Sequence, residues 1–362
     1  MNTKAVLMAA LLVCVLVSTA PGDDVYPKKI TDSSGREIEI KMPVERIIVQ
    51  NGGAARAVMA LGAADKVVGV ADFIPKNPEL YPSLKDKQVV GTWKSFDYEL
   101  VGEIAKRGDT IVPDIVVLCY YYKGMSFSID TFEKGFAPFK NITLVALDFT
   151  NPENITDSLY KLGVILGKEE KAREINEWRQ KQIELIKSAV EGQPKPRVYI
   201  ESGASKGLGE LTAFGPDSGA GTLLKLAGGN TIAEPLKDVF PKVSWEWVVS
   251  QNPDVILVWY SADSLGWKPA PSGDTVKLEQ KLNEILDRPG ATSVGAVNAH
   301  RVYLCHSMIL SGLENILGLS YMAKLLHPDA DLDPTEVWNE YQRVTGLDYP
   351  DDRIFVYPEI PG

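Results

Sequence analysis

Two carboxylates hold matching places in the two halves of the chain. Glu99 sits in Phe96-Asp97-Tyr98-Glu99-Leu100-Val101, and Glu246 sits in Val243-Ser244-Trp245-Glu246-Trp247-Val248. Each phrase reads as a helix start and is followed by Pro-Asp and an apolar strand. These are Pro113-Asp114 before Ile115-Val116-Val117-Leu118, and Pro253-Asp254 before Val255-Ile256-Leu257-Val258. An acidic residue in a first helical turn complements the helix dipole, which accounts for one copy more easily than for two. An exposed carboxylate there can accept both arms of an arginine fork. The chemistry on offer is docking to a basic partner. A second group is aromatic: Tyr120, Tyr121 and Tyr122 follow a strand's carboxyl end, where open α/β sheets bind their ligands.

Other chemistries find weaker support. A bare transition-metal site needs three or four converging ligands, and the three histidines, His300, His306 and His327, all lie in the second half. No metal site is expected. His306, beside Cys305 after a strand, is a candidate to face a ligand cleft, whereas His327 before Pro328 reads as a helix end. Ser202-Gly203-Ala204-Ser205 and Gly207-Leu208-Gly209 lack both the Lys-Ser/Thr ending of a phosphate loop and the Gly-x-Ser-x-Gly elbow. No enzymatic activity and no cofactor are expected. A net charge of -10 without a cluster of Lys and Arg argues against a nucleic-acid partner.

The element that must position these residues is 154–190, predicted as one or two helices. Residues 169–190 contain no Gly or Pro, and Ala172, Ile175, Trp178, Ile183 and Ile186 form one apolar stripe. Glu169 and Glu170 suit its start, and Gly192, Gln193, Pro194 and Pro196 stop it. On either side strands and helices alternate: strands at 46–50, 67–70, 115–118 and 143–147, then at 197–201, 255–259 and 301–304. That alternation predicts an α/β fold, two Rossmann-like lobes with central, mostly parallel sheets joined by a long backbone helix. The expected divisions are a signal peptide at 1–22, an N-terminal lobe at 23–152, the connecting helix at 153–192, a C-terminal lobe at 193–328 and an extension at 329–362.

Residues 1–22 carry Lys4, an apolar run at 5–17 and small residues at 18–22, the pattern of a secretory signal, either cleaved or retained as an anchor. Leu11-Leu12-Val13 lacks the small residue that precedes a lipidated cysteine at Cys14. Cys119 and Cys305 read as isolated buried thiols. Sequons at Asn141 and Asn154 permit glycosylation of an exported chain.

The order of short phrases resembles the substrate-binding proteins of iron-siderophore and vitamin B12 ABC importers. The resemblance covers about residues 30–328. It rests on 32–36 followed by Pro43-Val44-Glu45-Arg46-Ile47-Ile48, on Ala60-Leu61-Gly62-Ala63 with Val67-Val68-Gly69-Val70, on both Glu and Pro-Asp phrases, and on Ala323-Lys324-Leu325-Leu326-His327-Pro328. It implies a metal chelate, cobalamin or a ferric siderophore, held between the lobes of an exported, monomeric receptor. It further implies that Glu99 and Glu246 dock on arginines of a permease that works with a cytoplasmic ATPase. Trp93 matches a cleft tryptophan of B12-binding members, Phe240 a second aromatic position, and Phe214 a second-lobe loop. Two departures stand out: residues 106–112 are an insertion, and the arginine arrays that grip anionic siderophores are missing, Arg301 and Lys206 being the nearest candidates. An uncharged corrinoid suits such a cleft better. An exported enzyme or a surface structural protein on the same scaffold is the alternative.

Overall fold

The computed structural model describes residues 25–122, 129–204, 207–261, 265–266, 275–349 and 353–360. The predicted signal segment with Cys14, residues 123–128, and Ser205 and Lys206 lie outside the described residues.

Arg46–Val49 is buried at every position, so its strand must lie inside a sheet covered on both faces. It does: the first sheet runs Thr143–Ala146, Ile115–Cys119, Arg46–Val49, Val67–Val70, all parallel. The second runs Asn230–Thr231, Arg197–Ser202, Val255–Tyr260, Val302–His306, parallel throughout, with Val356–Tyr357 added antiparallel at its far side. The two Pro-Asp phrases have a shared structural use. Asp114 accepts from the Arg46 side chain, Nε at 3.1 Å, at the head of the neighbouring strand, and Asp254 accepts from the Arg197 backbone N–H at 2.8 Å. Each aspartate fixes where its strand begins against the next.

The connector is two helices, Ile155–Leu166 and Glu169–Val190, because Gly167 takes a left-handed φ of 64° that ends the first. Ala172, Ile175 and Ile186 of the predicted stripe are buried, while Trp178 and Ile183 are only partly so. Arg179 and Gln182 are buried as well, which the apolar pattern does not reveal. Arg179 donates to Leu313 O at 2.7 Å and Asn315 Oδ1 at 2.8 Å, fastening the long helix to the start of Asn315–Leu326. One apolar core runs from Ile30 through both connector helices to Val356, so on this side the lobes share a single packed interior.

Gly91–Phe96 is a small antiparallel hairpin, and the insertion at 106–112 is a second one, turning at Gly108 with φ 64°. A 3-10 turn, Ser307–Leu310, precedes the helix Asn315–Leu326. The stretch set apart as an extension is built into the body. Pro334–Thr345 carries Glu340, whose carboxylate accepts from Trp178 Nε1 at 2.9 Å and Gln182 Nε2 at 2.5 Å on the long helix. Trp338, Tyr341, Tyr349 and Phe355 join the shared core, and Tyr349 donates to Leu80 O at 3.3 Å in the first lobe.

Candidate ligand cleft

The strand ends of both sheets meet at one cavity of about 590 Å³, within the range of small-molecule sites. Gln50 and Tyr120 follow two first-lobe strands directly, and Phe149 and Thr150 lie just beyond a third. Ser261 and His306 are the counterparts from the second lobe. Trp93 enters from the 91–96 hairpin.

Local sequence explains the wall built on Gly52–Ala60. Asn51 caps this helix, accepting from Gly53 N at 2.8 Å and Ala54 N at 3.2 Å. The next two positions must be glycine for reasons of space. A Cβ at Gly52 would stand 2.6 Å from the Tyr81 hydroxyl, and one at Gly53 2.7 Å from Phe149 Cβ. Aromatic side chains thereby close on the helix start.

Gln50, 1% exposed, holds the aromatic side together. Its Nε2 donates to Thr92 O at 3.1 Å, and its Oε1 accepts from Tyr120 N at 2.9 Å. The hairpin bearing Trp93 and the loop bearing Tyr120 are thus tied to one amide. Replacing it with leucine strips two backbone groups of partners, each loss worth roughly 1–3 kcal/mol where buried. Gln50→Leu should show faster hydrogen exchange at 91–96 and 119–122 than elsewhere in the first lobe. An exchange pattern like the wild type's would show that the tie is not needed.

The predicted ligand residues separate into three groups. Trp93, Tyr120 and His306 line the cavity, with Trp93 and Tyr120 edge to face at 5.8 Å. The Tyr120 hydroxyl bonds to Thr150, and burial pushes it above its ordinary pKa. Tyr122, Phe214 and Phe240 gather beside the cavity rather than on its wall. Phe240, 44% exposed, is 6.5 Å from Tyr122 and 5.5 Å from Phe214, while Phe214 is buried against Trp259 at 4.2 Å. Tyr122 also bonds the backbone of Gly219, so a first-lobe ring reaches the second lobe. Tyr121 goes elsewhere, packing on the first-lobe core around Cys119 and Phe132. The backbone beyond the strand Ile115–Cys119 sends the three neighbouring rings to different places, and of them Tyr120 lines the cavity.

His306 ends the Val302–His306 strand and is 7% exposed. Burial lowers its pKa to about 4, and the charge of Arg56 acts in the same direction, so the imidazole is neutral near pH 7. Its ring is backed by Gly266, where a Cβ would stand 2.4 Å away. Cys119 and Cys305 are buried free thiols, and burial raises both, Cys305 to about 12. Among the described residues no group of three or more His, Cys, Asp or Glu is placed to hold a metal ion.

Beneath the cavity lies a charged network that sequence reasoning missed. Arg56 Nε stands 2.7 Å from Glu314 Oε2, both side chains at most 1% exposed. Arg56 Nη1 donates to the Tyr81 hydroxyl at 3.1 Å, and Tyr341 donates to Glu314 Oε1 at 2.6 Å. The pair joins the two lobes. Its only local sign is an arginine inside the apolar run Ala54-Ala55-Arg56-Ala57-Val58.

Glu99 and Glu246 are exposed, each in the first turn of its helix, Tyr98–Ala105 and Trp245–Gln251. The caps are equivalent: Asp97 accepts from Leu100 N, and Ser244 from Trp247 N. Hydrogen bonds from its own backbone N–H and from Ser244 hold the Glu246 carboxyl below the usual range.

Two facing α/β lobes with one aromatic-lined cavity at their strand ends define a bilobal ligand-binding protein. The chain belongs to the periplasmic binding protein family, whose model it matches over residues 47–308. It is 25% identical over 245 residues to a cobalamin-binding protein of Halobacterium salinarum, covering 66% of this chain and 60% of that relative's length. It is 22% identical to the ABC transporter substrate-binding lipoprotein YvrC of Bacillus subtilis, over 91% of this chain and 99% of the relative. Among solved structures, the TroA-like periplasmic binding protein FepB from Veillonella parvula aligns with a TM-score of 0.68 at 22% identity, covering 91% of this chain and 99% of that one.

Proposed function

We propose that the protein works outside the cytoplasm, captures a metal chelate of the cobalamin or ferric-siderophore class between its lobes, and hands it to an ABC permease. The observation that carries this reading is the convergence of Trp93 and Tyr120 from one lobe and His306 from the other on one cavity. Rigid rings bury a large, flat apolar face at low entropic cost. A cobalamin-binding relative and a substrate-binding lipoprotein among the family members support both ligand class and location. Among the described residues no helix is long and apolar enough to cross a membrane. A ligand that binds only the folded state raises stability by mass action. Cyanocobalamin or a ferric chelate at high excess should therefore raise the melting temperature; no shift with any of them would overturn the chelate reading.

Glu99 and Glu246 serve as the docking prongs, one per lobe, each able to accept an arginine fork. Charge pairs at an interface rim set orientation and association rate more than affinity. The double variant Glu99→Ala with Glu246→Ala should abolish uptake in cells and leave chelate affinity of the purified protein unchanged. Normal uptake by that variant would remove the docking role.

A further inference from the structure

Glu99 and Glu246 each directly follow an aromatic residue at the first helical position, Tyr98 in one lobe and Trp245 in the other. Their helices are short, eight residues for Tyr98–Ala105 and seven for Trp245–Gln251. Isolated helices of this length are not stable in water. Packing from outside the helix must therefore fix the direction in which each carboxylate points.

In the second lobe that packing centres on Trp245, which is 1% exposed. Its backbone N donates to Leu208 O at 2.8 Å, and its Nε1 donates to Pro289 O at 2.9 Å. Arg288, just before Pro289, lays its guanidinium 4.8 Å from the centre of the indole ring. The same guanidinium grips Glu201 with both arms, Nη1 to Oε2 and Nη2 to Oε1, each at 2.7 Å. The side chains of this pair are only 8% and 3% exposed. Apolar residues of similar size often stabilise a core as well as a buried ion pair does, so stability alone does not account for it. A planar cation held at its edges by a carboxylate and stacked on a ring fixes that ring in one orientation. Glu246 is bonded back to Ser244 and to its own N–H, so its aim follows the helix start. The first lobe uses an uncharged seat instead. There the Tyr98 ring fills a notch at Gly135, where a Cβ would stand 2.1 Å from it, and meets Phe136 edge to face at 4.8 Å.

Resting on the docking role of Glu246 put forward above, we propose that Arg288 is a positioning residue for permease docking. Clamped by Glu201, it holds the Trp245 ring and thereby aims Glu246 at its arginine partner. An arginine fork bonds both oxygens of a carboxylate only over a narrow range of directions, so a prong that swings engages it less often. Because the two lobes seat their prongs by separate means, loss of this clamp should leave Glu99 untouched.

A double-mutant cycle tests this, with the full chain binding to the permease–ATPase complex of its own host in nanodiscs and association followed by surface plasmon resonance. Glu246→Ala should slow association about tenfold, as loss of a rim charge does. Arg288→Met should slow it about fivefold alone and less than about twofold on top of Glu246→Ala, because residues acting through one another are not additive. On top of Glu99→Ala the loss of about fivefold should remain, since distant sites add. Melting curves identify the folded variants. Arg288→Lys, which keeps the charge but not the plane, carries the same test if Arg288→Met does not fold; if neither folds, the residue is structural and the role falls. An unchanged rate in Arg288→Met, or an equal loss with and without Glu246, overturns the positioning role while docking by Glu246 stands. An unchanged rate in Glu246→Ala, or no binding by wild type, overturns the docking role and the proposal with it.

Discussion

Glu314→Ala should destabilise the protein by about 3–5 kcal/mol, because removing one member of a buried ion pair leaves the other charged and unpaired. With unfolding entropy scaling with chain length, that corresponds to a fall of about 5 °C in melting temperature. The cost arises at Arg56, 0% exposed, whose charge is held by Glu314 and whose pKa stays above the ordinary arginine value despite a burial that works against it. Tyr341 would lose its acceptor too. The companion experiment removes both charges. Arg56→Met with Glu314→Leu should regain more than half of the loss, since apolar replacements of a buried pair are often neutral or better. A double variant no more stable than Glu314→Ala would show that the deficit comes from lost packing rather than from a stranded charge. Because the pair spans the lobes, the same variants should let the lobes separate more readily, seen as faster proteolysis near the cavity.

Stability should fall by on the order of 3 kcal/mol as pH is lowered from 6.5 to 4, through His306 alone. The sign follows from its depressed pKa of about 4 in the folded state. An unfolded imidazole takes up its proton near 6.5, whereas the folded one waits until about 4. Between those values the unfolded chain binds more protons, so acid favours unfolding; below about 4 both states are protonated and the slope from this group ends. Urea midpoints across this range should show the slope in wild type and a flatter profile in His306→Gln. A variant that kept the full slope would place its origin elsewhere. Asp32 and Asp114 act in a different window. Burial alone would raise them, but Ser34 and Arg36 hold Asp32 down, and Arg46 and Arg107 hold Asp114 down. Their contribution is present above the ordinary aspartate value and is lost only below it.

Much of the architecture was legible because it is written in local patterns. Apolar strands, the Pro-Asp starts and the helix formers of 169–190 each declare their element without help from distant residues. Glu99 and Glu246 stand out in the sequence because the phrases around them repeat, and the equivalent caps of their helices follow from Asp97 and Ser244. The cleft was legible in part. Trp93, Tyr120 and His306 follow from strand ends and from family likeness, but which of three adjacent tyrosines faces inward depends on a backbone path that composition does not encode. Gln50 and the Arg56–Glu314 pair escaped notice because their partners lie far away in sequence. Residues 334–360 escaped for a different reason: a helix and a short tail give no hint of the surface they cover until that surface exists.

The second sheet shows what that tail accomplishes. Its outermost strands, Asn230–Thr231 and Val356–Tyr357, are two residues each. Long unpaired margins recruit neighbouring chains, and very short ones do not. Val302–His306, which carries a cavity residue at its tip, would otherwise be such a margin. With Val356–Tyr357 laid along it, that strand offers a neighbouring chain no long bare margin to pair with.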